Sequence, residues 1–114
     1  MRKAYFLFFC IIVFFSYSQV STVDSLKNLL KNAKHDTVRC YLLSALVEYE
    51  YDEKIWPIYN EQLSVLAQKN ATSSNAKYLK TFYLKYYAGS LNNKGFLAQE
   101  HGNIAKALEY YSSA

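Results

Sequence analysis

The stretch "LNNKGFLAQEHGNIAKALEYYSSA", Leu91 to Ala114, decides the fold. It reads as a helix, a Gly102-Asn103 break, and a second helix running to the last residue. A Gly-Asn pair between two helical runs is the punctuation of a turn. Leu108 and Tyr111 give the second helix an apolar side with nothing after it to cover that side. The expectation is a stack of helices that continues, with these residues as its front end.

Upstream the same rhythm recurs. Val38, Tyr41, Leu42, Ala45, Leu46 and Tyr49 stand at helical spacing after Asp36, a residue type suited to an N-cap. A second pattern, "DEKIWPIYNEQLSVLAQKN", places Trp56, Tyr59, Leu63, Leu66 and Ala67 on one face. Pro57 falls among its opening residues, where the missing N–H has no helical acceptor to lose. Two helices with so short a connection fold back antiparallel. "NATSSN", Asn70 to Asn75, is polar and aperiodic and reads as the connector between units. A long helix then carries Tyr78, Leu79, Phe82, Tyr83, Tyr86 and Tyr87 on one broad face, with Ser74 or Asn75 as its cap. A shorter amphipathic helix, with Leu26, Leu29, Leu30 and Ala33, precedes them all, capped by Asp24 or Ser25. Three glycines and one proline, in a chain rich in long uninterrupted segments, favour helices over a turn-rich β fold.

The chain's 114 residues allow one small domain. "MRK", the apolar run "AYFLFFCIIVFF" and small Ser16 and Ser18 ahead of Gln19 form an export signal over residues 1–18. The run is shorter than the roughly 20 residues a membrane-spanning helix needs. Residues 19–35 follow as an N-terminal segment, then a helical hairpin over 36–70 and a long helix with a helix–turn–helix over 75–114. The net charge of +4 falls to about +2 without Arg2 and Lys3, and the remaining basic residues are dispersed. That is not the clustered footprint of a nucleic-acid binder. Removal of the leader leaves Cys40 as the single thiol, which reads as a small core residue and supports no internal disulfide.

Counted from Ala88 as position 1, Leu91 stands at 4, Gly95 at 8, Ala107 at 20, Tyr111 at 24 and Ala114 at 27. This pattern resembles the tetratricopeptide repeat, a helix–turn–helix unit of 34 residues. The resemblance implies an all-α solenoid of antiparallel helix hairpins, here an N-terminal fragment with an incomplete last repeat. It implies that small residues at 8, 20 and 27 let two helices touch, so that Leu91, Gly95, Ala107, Tyr111 and Ala114 form the packing contact. Lys94 and Ala98 depart from the usual large apolar residues at their positions. Residues 36–69 resemble an earlier, degenerate unit of the same kind. "DSLKNLLKNAKHDTVRCYLLSAL" resembles the opening of exported bacterial repeat proteins that end in a membrane helix and a sensor histidine kinase or DNA-binding regulator.

Chemistry is harder to find. His35 and His101 stand alone beside helix boundaries, without the ligand spacing a metal requires. Glu48, Glu50, Asp52 and Glu53 make an acidic corner without the alternating ligands and central glycine of a calcium loop. No phosphate loop, nucleophile motif or paired catalytic constellation occurs. Asn70-Ala71-Thr72 matches a glycosylation sequon, without consequence in a bacterial export. The expectation is a non-enzymatic scaffold without cofactor, binding a protein or peptide or another copy of itself. The alternative is the periplasmic sensory region of a membrane-bound signalling protein whose output domain lies beyond residue 114. By the resemblance, positions 2, 5, 9 and 12 face a concave groove, which names Gly89, Asn92, Phe96 and Gln99.

Overall fold

The computed structural model describes residues 22–114; the proposed leader, 1–18, and residues 19–21 lie outside the described residues. Among the described residues there are five helices and no strand. They are α1 (22–32), α2 (Asp36–Tyr49), α3 (Trp56–Ser73), α4 (Lys77–Glu100) and α5 (Ile104–Ser113). From α2 onward each helix packs on the next, and α2 also touches α4 along one edge. The fold is all-α. None of the described helices is long and apolar enough to cross a membrane.

The connections explain where the rods stop. After α2, the Asp52 carboxylate accepts the Lys54 amide at 2.9 Å, while its carbonyl accepts the amides of Ile55 and Trp56. That aspartate turn feeds directly into α3, whose first turn holds Pro57. After α4, Gly102 takes φ +76°, and the Asn103 amide reaches back to the Ala98 carbonyl at 2.9 Å. This is a left-handed helix stop that only glycine adopts without steric cost. The Asn103 side chain then accepts the Lys106 amide at 3.1 Å and caps α5.

The core lies between α2, α3 and α4: Cys40, Leu43, Leu63, Ala67, Ala71 and Tyr83 form one buried cluster. Leu30 of α1 and Leu79, Phe82, Tyr86 and Tyr87 of α4 pack around it. The ring of Phe82 meets Tyr83 edge-on with centroids 5.3 Å apart and Tyr86 at 5.0 Å, arrangements that suit aromatic quadrupoles. Cys40 and Ala67 are wholly buried, small enough for α2 and α3 to approach closely. Burial, with a smaller contribution from the Asp36 carboxylate, pushes the Cys40 thiol up to about 11, so it stays protonated at neutral pH.

Several local expectations change. The buried face of α2 runs through Cys40, Leu42, Leu43 and Leu46, and Val38, Tyr41 and Tyr49 are exposed. The apolar pattern was ambiguous because α2 has leucines on adjacent positions, and Cys40 rather than Tyr41 fills the tight contact. Tyr78 and Leu29 are likewise exposed. Asn70–Ser73 belong to α3, not to a connector, because Ala71 reaches the core and anchors the final turn. The N-cap positions of α2 and α4 are His35 and Ala76, neither with a capping side-chain bond, and Asp24 and Ser25 lie inside α1.

Asp36 serves a different purpose. Its carboxylate accepts hydrogen bonds from Arg39 and, at 3.1 Å, from Asn70 near the end of α3, while Arg39 also donates to the Ala33 carbonyl. Partial burial raises its pKa, but the bonds from Asn70 and Arg39 outweigh that and hold it below the ordinary value. The node ties the residue just after α1 to α2 and α3. Its stabilisation is present above the ordinary aspartate range and is lost as pH falls through the depressed value. The same bond occupies the amide of the sequon asparagine.

Candidate functional site

Where α4 turns into α5, the helices meet at the small residues. Gly95 and Leu91 are buried and Ala107 is 3% exposed. What covers Gly95 is the ring of Tyr111: a Cβ built on the glycine would stand 2.7 Å from one of its ring carbons. The Tyr111 hydroxyl also pairs with Gln99 Oε1 at 3.1 Å. Of the five residues assigned to the repeat contact, Gly95 and Tyr111 touch, and Leu91 and Ala107 are buried. Ala114 is not; it lies exposed at the C-cap of α5, one residue past the helix.

A second contact, between α3 and α4, was not anticipated from the sequence. Asn60 is 2% exposed and donates to the Ser90 carbonyl at 3.0 Å, while its own oxygen accepts from Asn93 at 3.0 Å. Ser90, wholly buried, turns its hydroxyl onto the Tyr87 carbonyl at 2.6 Å. A short side chain that satisfies itself on its own helix lets the neighbouring helix come close. Lys94 and Glu61 close the rim with an ion pair at 2.8 Å. Lys94 therefore contributes to the helix contact through charge, where the repeat pattern uses an apolar residue.

The first contact fixes α5 on α4 and the second fixes α4 on α3; α2 borders α4 as well, and a groove of about 750 Å³ opens between α2 and α4 over the start of α3. Its aromatic lining comes from Tyr51, Trp56, Tyr86 and Phe96. Trp56 is buried beneath half-exposed Phe96, their ring centroids 6.5 Å apart. Asn92 and Gly89 belong to the lining as well. Gln99 does not: one helical turn further on, it is committed to Tyr111 on the α5 side. Among the described residues the Asn92 side chain forms no hydrogen bond, which leaves an amide free to donate and accept at the groove wall.

The acidic corner of the sequence becomes part of this groove, since Glu48, Glu50 and Glu53 all line it. None of the three forms an ion pair among the described residues, and the single cation of the lining is Lys85. Their spacing in sequence carried no signal of this, because the turn between α2 and α3 is what gathers them. Gly89 also behaves differently from Gly95. It sits in the interior of α4, yet a Cβ placed on it would meet nothing within 4 Å. Glycine there costs the helix about 1 kcal/mol relative to alanine, and no contact inside the described chain requires it.

His35 and His101 are exposed at their helix boundaries, and no group of three potential ligands is placed to hold a metal among the described residues. Comparison with known protein families, curated proteins and solved structures finds no match to this chain.

Proposed function

We propose that this protein is a non-enzymatic interaction scaffold of tetratricopeptide-like helical hairpins, and that the groove between α2 and α4 takes a peptide segment of a partner protein. The observation that carries this reading is the groove itself, open, lined by aromatic rings over a buried indole, and edged by an uncommitted amide. Aromatic anchors beside polar groups free to pair with a backbone are the usual furniture of a protein-binding surface. The leader-like segment supports export to a bacterial periplasm. The opening from Asp24 supports, as the alternative, a sensory role for the same scaffold within a membrane-bound signalling protein.

Two-dimensional NMR tests the groove reading. Titration with peptides drawn from a random dodecapeptide pool is expected to yield binders that shift the Trp56 indole and Asn92 side-chain amide signals saturably. Binders that shift only signals remote from α2 and α4 would count against the groove.

Self-association has its own supporting observation. Ile104, Leu108 and Tyr111 form one stripe along α5, the first two more than half exposed. A contiguous apolar stripe at helical spacing favours pairing with an identical stripe on a second copy. Sedimentation velocity is expected to show a mass that rises with concentration, and Leu108→Glu is expected to hold the chain monomeric. A wild-type chain that stays monomeric at several hundred micromolar would remove this element of the reading.

A further inference from the structure

The groove's lining says more about its occupant than that it is a peptide. Three carboxylates, Glu48, Glu50 and Glu53, face one lysine, Lys85, so the groove is net negative by two charges. The carboxylates are at the end formed by the α2–α3 turn, and Phe96 over Trp56 supplies the apolar seat. Gly89 adds an independent indication. A helix-interior glycine whose added Cβ would meet nothing within 4 Å among the described residues leaves the backbone of α4 bare along the groove. Bare backbone in a groove is what lets another main chain approach closely.

We propose that the groove binds an extended cationic segment of a partner protein, in which a lysine or arginine reaches the Glu48–Glu50–Glu53 rim, a neighbouring apolar side chain sits on Phe96, and the backbone passes over Gly89. The inference rests on the groove reading above and specifies its partner. Charge complementarity decides the sign: an acidic segment would meet three carboxylates that share one lysine, and a neutral one would leave them without an ion pair, Glu50 holding only the Asp52 amide at 3.2 Å. Asn92 is placed to pair with a peptide group of the same segment, since its amide is otherwise unused.

The test is selection of phage-displayed random dodecapeptides against the purified chain, followed by affinity measurement of the selected peptides on three proteins. These are the wild type, Glu48→Gln/Glu53→Gln, and Gly89→Leu. Selected peptides are expected to carry Lys or Arg within a few residues of an aromatic or leucine. Their affinity is expected to drop about fivefold or more in the double glutamine variant and to weaken similarly in high salt, as rim charges do. Gly89→Leu is expected to reduce binding at least tenfold by filling the groove. Its melting temperature should equal or exceed that of the wild type, because leucine is the better helix former and meets open space. Neutral or acidic peptides that lose binding in Gly89→Leu but ignore Glu48→Gln/Glu53→Gln would overturn the cationic occupant and leave the groove standing. Peptides that ignore Gly89→Leu, or a selection that returns none, would overturn both.

Discussion

Gly95→Leu is expected to destabilise the chain by about 3 kcal/mol, at the upper end of what overpacking a core costs. The reason is a single contact. A Cβ at residue 95 falls 2.7 to 3.0 Å from three carbons of the Tyr111 ring, closer than van der Waals contact allows. Tyr111 is 38% exposed, so its ring can swing outward, but doing so uncovers Gly95 and breaks its pairing with Gln99. Gly95→Ala should cost less, about 1 kcal/mol, because improved helix propensity offsets part of the displacement. The decisive measurement is a double-mutant cycle by urea unfolding. Tyr111→Ala removes the obstacle, so Gly95→Leu in that background should cost at least about 1 kcal/mol less than in the wild type. Additive effects would mean that the glycine is small for some other reason.

This contact also shows how far the sequence could be read. The order Gly95, Gly102, Asn103, Ala107 encodes a turn and a tight crossing in local chemistry, since a left-handed stop and an absent Cβ need no distant partner to be recognised. Gly89 had the same signature and a different role, because whether a glycine meets a neighbour depends on the position of other helices. The face of α2 was assigned only in part for a related reason: Leu42, Leu46 and Cys40 are buried as expected, but Val38, Tyr41 and Tyr49 are not. Leu42 and Leu43 occupy adjacent positions, and only the partner helix determines that the side including Cys40 turns inward while Tyr41 points outward. The acidic residues of the groove were visible as a cluster, but their common side was created by the α2–α3 turn. The meeting of Gly95 with Tyr111 and the burial of Leu91 and Ala107 agree with a repeat pattern; Ala114 and Gln99 belonged to that pattern on paper, and the structure gives them other positions.

Asn60 was invisible to any apolar pattern, and it supports the other large prediction. Asn60→Asp is nearly isosteric, yet it is expected to cost about 3 kcal/mol at pH 7, the scale of burying a polar group against the wrong partner. An ionised aspartate still accepts from Asn93, but it has no proton for the Ser90 carbonyl, which the native amide satisfies at 3.0 Å. Two acceptors then face each other at a site only 2% exposed to solvent. Protonation of the new carboxyl restores a donor, so the folded state favours the neutral form and the pKa of that aspartate rises above its unfolded value of about 3.9. A raised pKa of this kind means that stability is retained below the unfolded value and lost as pH climbs through the folded one. The deficit relative to wild type should therefore shrink by at least about 1 kcal/mol between pH 7 and pH 4. Urea unfolding of both proteins at the two pH values reads the difference directly. A deficit that is the same at both would show that the Ser90 carbonyl does not depend on the Asn60 donor, and the register of α3 on α4 would then rest on the apolar faces, the Asn93 bond and the Lys94–Glu61 pair.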